Sequence, residues 1–343
     1  MSEKEIDLNS VDTDPVDPVA PQENAEVARK ARLRFQASTN KLQTQSSLSS
    51  AELVDFIANT PSEQLIPWEK VTLPSQGRYY SDRLPDGKIE VLPMTIKADK
   101  ILATSRLTGS GQALDYIMDN HVRFPNGFSS TDLIIGDWTF LLYYLRGISY
   151  GNIYEFTVKC TNEDCARDSV HEYDLNELAD TLKGPSKNEP FEVDLPYFSE
   201  ITGRRVYVAV RFMRWRDVRE ITKRTKAISA SMPKQARTAH KGPRPFAKQK
   251  APVVLNETIE QNLDLAIVSI NGDDDRGKIA QIVRKMHARD TSVIRQAMDD
   301  NMPGIDTDIE VTCPHCDEDM KMGLPFTTDF FRTPKSRGMR EGI

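Results

Sequence analysis

All four cysteines of this 343-residue chain fall into two short pairs, far apart in sequence. The first is Cys160-Thr161-Asn162-Glu163-Asp164-Cys165 and the second is Cys313-Pro314-His315-Cys316. Four thiols in two pairs offer a tetrahedral site for a divalent metal. Zinc takes four soft or borderline ligands in that geometry and makes no further demand. A Cys-x-x-Cys turn points two sulfurs at one ion, and Pro314 fixes a backbone angle between the second pair. The first pair has four residues between its thiols, at the wide end of the usual spacing.

The elements around the pairs set their use. Tyr154-Glu155-Phe156-Thr157-Val158 precedes the first and Asp308-Ile309-Glu310-Val311 the second, both with strand-like alternation. Strand text also follows each, including Met320 to Leu324. Two strand-knuckle-strand units with two thiols apiece read as a zinc ribbon. They predict a long-range contact, with Cys160, Cys165, Cys313 and Cys316 closing one structural Zn2+ site, and make the intervening chain an insertion within one domain. Three other readings stand beside this one. Disulfides need an oxidising compartment, and the acidic, polar N-terminus shows no export signal, so the chain is expected to stay in the cytoplasm where it is made. Four buried free thiols are the second. Redox chemistry at Cys313 and Cys316 is the third, without a thioredoxin-like strand-helix context.

Other chemistry is not evident. The five histidines, His121, His171, His240, His287 and His315, form no paired metal or catalytic motif. Gly109-Ser110-Gly111 lacks the lysine of a phosphate loop. Asp273-Asp274-Asp275 lacks the alternating ligands of a calcium loop and reads as an acidic turn after Asn271-Gly272. His315 is expected to be exposed, because a ribbon already has four ligands. The chain is therefore expected not to be an enzyme.

Apolar residues make up 38% of the chain, and the net charge is -6. No overall basic field favours nucleic acid, and no apolar run is long enough to span a membrane. Residues 1–45 read as a disordered acidic tail rich in proline. Within it, Arg29, Lys30, Arg32 and Arg34 interleave with Leu33 and Phe35, as a solvated stretch or a docking helix. Residues 46–67 hold a helix at Ser50–Ala58, capped by Ser49 or Ser50 with Glu52, and a linker. The body is expected over 68–331. Its strands include Ile89–Met94, Phe191–Leu195 and Val206–Val210, the last two paired across a loop at Glu200–Arg204. Its helices include Ala98–Leu107, one through Leu114 and Met118, a buried one at Trp138–Leu145 closed by Arg146-Gly147, and a short one at Leu175–Leu182. A helix is also expected from Ile259 to Ile270, ended by Asn271-Gly272. Two more follow, through Ile279 to Met286 and Val293 to Met298. The fold class is α+β: mixed helices and short antiparallel strands with a discontinuous zinc-ribbon-like element. From Ile221 through Lys250 there are nine Lys or Arg and no Asp or Glu. With its prolines and glycine, this predicts a flexible basic loop over 226–252. Residues 332–343 read as a C-terminal tail.

Taken in order, these pieces resemble the baseplate hub protein family of T-even-like contractile-tailed bacteriophages. The resemblance is carried by Leu73-Pro74-Ser75-Gln76-Gly77 with the nearby tyrosine pair, Pro93-Met94-Thr95, and Asp132-Leu133-Ile134-Ile135-Gly136-Asp137. It continues through Leu141–Tyr150, Ala288-Arg289-Asp290, Arg295, Pro303-Gly304-Ile305-Asp306, the second cysteine pair and Phe330-Phe331. It covers residues 68–331. The first knuckle is wider than is usual in the family, and the acidic tail and basic loop look like additions. The resemblance implies a structural or assembly role in the virion tail baseplate, through binding of other phage baseplate or tail proteins, without small-molecule substrate or membrane. The rival reading is a zinc-ribbon nucleic-acid-binding accessory protein. It rests on the ribbon and the basic loop. Against it, Phe246 is the only aromatic between Ile221 and Lys250, too few for base stacking.

Composition also predicts where a protease enters. Trypsin is expected to cut at Arg29, Arg34, Lys234 or Arg237 well before it cuts the body. A time course read by mass spectrometry checks this; protection of all four sites in the isolated protein contradicts it.

Overall fold

The computed structural model describes residues 49–59, 67–102, 112–125, 127–231, 259–325 and 330–331. The expected acidic tail, the Arg29–Phe35 stretch, the C-terminal tail and all four trypsin sites lie outside these residues. So does most of the expected basic loop. Its first part does not: residues 226–231 belong to the helix Trp215–Ser231.

Among the described residues, four small antiparallel sheets accompany one buried central helix. Strands β1 (Glu69–Thr72), β2 (Lys88–Val91) and β3 (Val122–Arg123) form the first sheet, in that order. β4 (Ile153–Lys159) pairs with β5 (Asp168–Asp174) in a seven-residue ladder, from Ile153 opposite Asp174 to Lys159 opposite Asp168. β6 (Phe191–Asp194), β7 (Tyr207–Val210) and β8 (Ile267–Ile270) form a second three-stranded sheet. β9 (Asp308–Thr312) pairs with β10 (Asp319–Gly323). The alternation in β4 is physical: Tyr154, Phe156 and Val158 face the core while Ile153, Thr157 and Lys159 face solvent. No helix among the described residues is long and apolar enough to cross a membrane.

The central helix, Ile135–Tyr150, is buried along most of its length. Trp138, Leu141, Leu142, Tyr143, Tyr144 and Leu145 are all core residues. A helix apolar all round must be enclosed on every side, and the enclosing pieces come from distant parts of the chain. Trp138 stacks on Trp215, with ring centroids 3.7 Å apart. Tyr143 donates from its hydroxyl to the Leu324 carbonyl at 3.2 Å, and Tyr154 on β4 donates to the Pro325 carbonyl at 2.8 Å. Phe330 sets its ring edge-on to both tyrosines, with centroids 5.0 Å away. Leu324, Pro325 and Phe330 are thereby sealed onto the middle of the chain.

The helix N-terminus is a second junction. Asp137, fully buried in the first turn, accepts from the Ser75 backbone N–H at 2.9 Å and from the Tyr80 hydroxyl at 2.5 Å. Tyr80 in turn accepts from the Ile134 N–H at 3.0 Å. Gly136 lies so close to Pro303-Gly304 that a Cβ there would overlap the Pro303 carbonyl oxygen. Three sequence motifs from separate regions meet at this one helix end.

Three expectations are corrected. The helix after Ile259 stops at Ala266, and Ile267–Ile270 is β8, hydrogen-bonded to β7. The reason lies in Asn271 and Gly272, which adopt φ of 48° and 82° and make a tight two-residue turn closed by Ile270 and Asp273. Asn-Gly is a hairpin signal before it is a helix stop, and the β-branched run before it suits a strand. The central helix does not end at Arg146-Gly147. Arg146 is buried and donates to the carbonyls of Gly151 at 2.7 Å and Ile153 at 3.2 Å, and Gly151, at φ 87°, terminates the helix. The Glu200–Arg204 connection between β6 and β7 is not all loop, because Pro196–Thr202 is helical. Its first N–H groups are capped from afar: buried Asp290 accepts from Tyr197 at 2.8 Å and Phe198 at 3.2 Å.

Burial pushes the Asp137 carboxyl up to about 6, against the lowering effect of Ser75 and Tyr80. A carboxyl raised in the folded state favours the protonated form. Its contribution is fully present below about pH 4 and is lost as pH rises through 6. Relative to Asp137→Asn, the wild type is expected to lose about 2 kcal/mol of stability between pH 4 and pH 7. Denaturant titrations of both proteins across that range test this. A stability difference that stays flat with pH contradicts it.

Candidate metal centre

Each cysteine pair occupies the tip of a hairpin, and the two tips are built alike. In the first, the Cys160 N–H donates to the Arg167 carbonyl at 2.8 Å; in the second, the Cys313 N–H donates to the Glu318 carbonyl at 2.9 Å. In both cases the acceptor lies two residues past the second cysteine. The residue directly after that cysteine is left-handed in each: Ala166 at φ 45° and Asp317 at φ 56°. The sulfur of each first cysteine receives a backbone N–H from two residues on, Asn162 to Cys160 and His315 to Cys313. The two extra residues of the first pair are absorbed by a turn in which Cys165 and Ala166 both donate to the Asn162 carbonyl, at 3.1 and 2.8 Å. The wide spacing therefore leaves the end of the knuckle unchanged.

The hairpins face each other. Cys160 Sγ lies 3.5 Å from Cys316 Sγ, across 156 residues of sequence, and Cys165 Sγ lies 4.0 Å from Cys313 Sγ. All four sulfurs fall within 4.8 Å of one another. A tetrahedron with metal–sulfur bonds of ~2.3 Å has edges of about 3.8 Å, and the two measured separations bracket that value. A disulfide needs ~2.05 Å, so these are free thiols in a metal-sized cluster. Cys160 and Cys313 are buried, while Cys165 and Cys316 are partly exposed.

The donor set fits a cation electrostatically as well. The His315 N–H, foremost, holds the Cys313 thiol down to about 7, while burial pushes Cys160 up. Four thiolates this close repel one another and ionise together only around a positive ion. The backbone N–H groups aimed at sulfur spread the remaining charge. All four sequence-predicted ligands are thus brought together. His315 stands between them in sequence but is exposed.

The remaining candidates are placed elsewhere. His121 is buried, with Nδ1 3.2 Å from the Leu92 carbonyl. His171 lies 2.8 Å from the Ser169 hydroxyl on the same strand, and His287 caps a helix by accepting from Arg289 N–H. Asp275 accepts from the N–H groups of Gly277 and Lys278 as a helix cap, and Asp273 pairs with Lys278 at 2.5 Å. The acidic triplet is therefore an ordinary turn and helix start. His240 lies outside the described residues. Sequence reasoning did not single out Asp137 or Asp290 as buried acceptors. The only available signal was their position, one in a helix first turn and the other after Ala288-Arg289.

A family model described as T4 bacteriophage base plate protein matches residues 77–332, about three quarters of the chain. The chain belongs to this baseplate protein family. A structural role in the phage baseplate, and a place in the virion tail, come with that membership. The match takes in both cysteine pairs, the central helix and the closing Phe330-Phe331, and begins within the Leu73–Gly77 motif. No curated protein and no solved structure gives a significant match.

The geometry makes a spectroscopic prediction. Cobalt added to the reduced, metal-free protein is expected to give the intense visible bands of a tetrahedral tetrathiolate ion at one equivalent, and Cys165→Ser is expected to weaken and shift them. A weak, octahedral-type spectrum contradicts the four-thiol site.

Proposed function

We propose that this protein is a hub component or assembly factor of the contractile-tail baseplate, stapled by one structural zinc and acting through protein–protein binding rather than turnover. The observation that carries the zinc reading is the convergence of four thiols from two matched hairpins, 3.5 and 4.0 Å apart across the gap. Cys160, Cys165, Cys313 and Cys316 hold the ion. With four protein ligands the site has no open position, which is the pattern of a structural rather than a catalytic metal. Zinc contributes folding free energy directly, on the order of 10 kcal/mol in small domains. Here it ties β4 and β5 to β9 and β10, and so ties the end of the body to the central helix.

Family membership supports binding to other tail proteins. The hub location rests on the motifs at Leu73–Gly77, Asp132–Asp137 and Pro303–Asp306, which the fold packs against one another at the start of the central helix. Motifs that meet at a buried junction are needed for the fold itself.

Purified protein is expected to carry about one equivalent of zinc by elemental analysis, and Cys313→Ser to lose most of it together with cooperative folding. In a phage deleted for the gene, the wild-type copy is expected to restore complete baseplates in electron micrographs and Cys313→Ser to fail. Immunogold labelling at the tail axis supports the hub placement, and labelling at the baseplate edge contradicts it. A stably folded, metal-free protein overturns the zinc staple. Normal baseplates without the gene overturn the assembly role.

A further inference from the structure

The helix Ser50–Asn59 stands apart from the chemistry of the body. Its start is fixed by a reciprocal cap: the Ser49 N–H donates to Glu52 Oε2 at 2.8 Å, and the Glu52 N–H donates to Ser49 Oγ at 3.3 Å. That is the capping-box arrangement of a defined helix start. Yet Leu53, Val54 and Phe56 are 45%, 63% and 55% exposed. A ten-residue helix is marginal in water without burial of its apolar side. Beyond Ser50 at the helix start, Glu52, Asp55 and Asn59 lie on one narrow stripe, at positions i, i+3 and i+7. Leu53, Val54 and Phe56 spread around the rest. So wide an apolar arc suits insertion into a groove rather than contact with a flat surface.

The charge of this segment narrows the occupant. From Leu42 through Glu69 the sequence holds four carboxylates and no Lys or Arg. Like charge opposes pairing with the same helix of a second copy, and opposes an anionic lipid surface. It favours a groove with a cationic edge. We propose that Ser50–Asn59 inserts into an apolar groove edged by Lys and Arg side chains on another protein of the phage tail. This rests on the assembly reading and names the kind of partner it needs. The helix lies outside the family match, so it is a docking element attached to the family body rather than part of it.

The test uses the full chain in infected cells. A benzophenone amino acid is placed at position 54, and light-induced cross-links are mapped by mass spectrometry. The expected result is a cross-link to one other tail protein, at an apolar site flanked by Lys or Arg. The double variant Leu53→Asp, Phe56→Asp is expected to lose that cross-link and to lower infectious titre at least a hundredfold. The purified variant is expected to keep the wild-type melting temperature and metal content, because the helix is exposed. Cross-links confined to this chain, to a second copy or to lipid overturn the proposal. A variant phage of undiminished titre, beside a deletion phage that fails, overturns the docking alone. A deletion phage that builds normal tails rejects the assembly reading and this partner with it.

Discussion

A helix buried on every side has to be enclosed from both directions along the chain, and this constraint organises the protein. Ile135–Tyr150 has no solvent face of any width. Its N-terminus is closed by Ser75 and Tyr80 from before it and by Pro303-Gly304 from after it. Its flank is closed by Trp215, and its far side by Leu324 and Phe330. No contiguous stretch of sequence supplies this enclosure. Among the described residues the sheets are small, of two or three strands, and lie in segments drawn from well-separated parts of the sequence.

The thiol cluster addresses the entropic side of the same constraint. Closing a loop of about 150 residues costs several kcal/mol of chain entropy, about 5 kcal/mol on the cross-link model. Apolar burial around Tyr143, Tyr154 and Phe330 offsets part of that. The proposed metal, held by both hairpins, would place its binding energy at the point of closure. The site also lies on the core rather than beside it: Cys160 and Cys313 belong to the same buried cluster as the central helix. Thiol cluster and apolar core therefore meet at one junction.

Much of this was legible in the residues. The cysteine pairs, each inside alternating text, predicted a contact across 156 residues, because metal geometry converts spacing into proximity. The apolar run at Trp138–Leu145 predicted a buried helix for the same kind of reason. The misreadings occurred where one local signal has two structural outcomes. Ile259 to Ile270 fits a helical period, but the chain changes to a strand at Ile267 because β7 offers an unpaired edge and Asn271-Gly272 turns the chain back. Arg146-Gly147 looks like a helix end, yet the guanidinium is buried and reaches past the true end to two carbonyls. Position alone hinted at Asp137 and Asp290, and did not reveal what they bind. Their roles depend on backbone N–H groups 62 and 93 residues away, and such pairings have no local signature.

The two knuckles have a further consequence in time. During synthesis the first pair emerges while the second, about 150 residues later, has yet to be made. At 5–20 residues per second that interval is roughly 8–30 s. Throughout it the nascent chain carries half of the thiol cluster and a central helix with part of its cover missing. Closure of the four-thiol cluster can therefore occur only on a chain translated through Cys316. A chain cut short anywhere before Cys313 lacks the site and the seal over the helix at once. The proposed staple would thus mark a finished chain, because neither the cluster nor the seal exists before Cys316 is made.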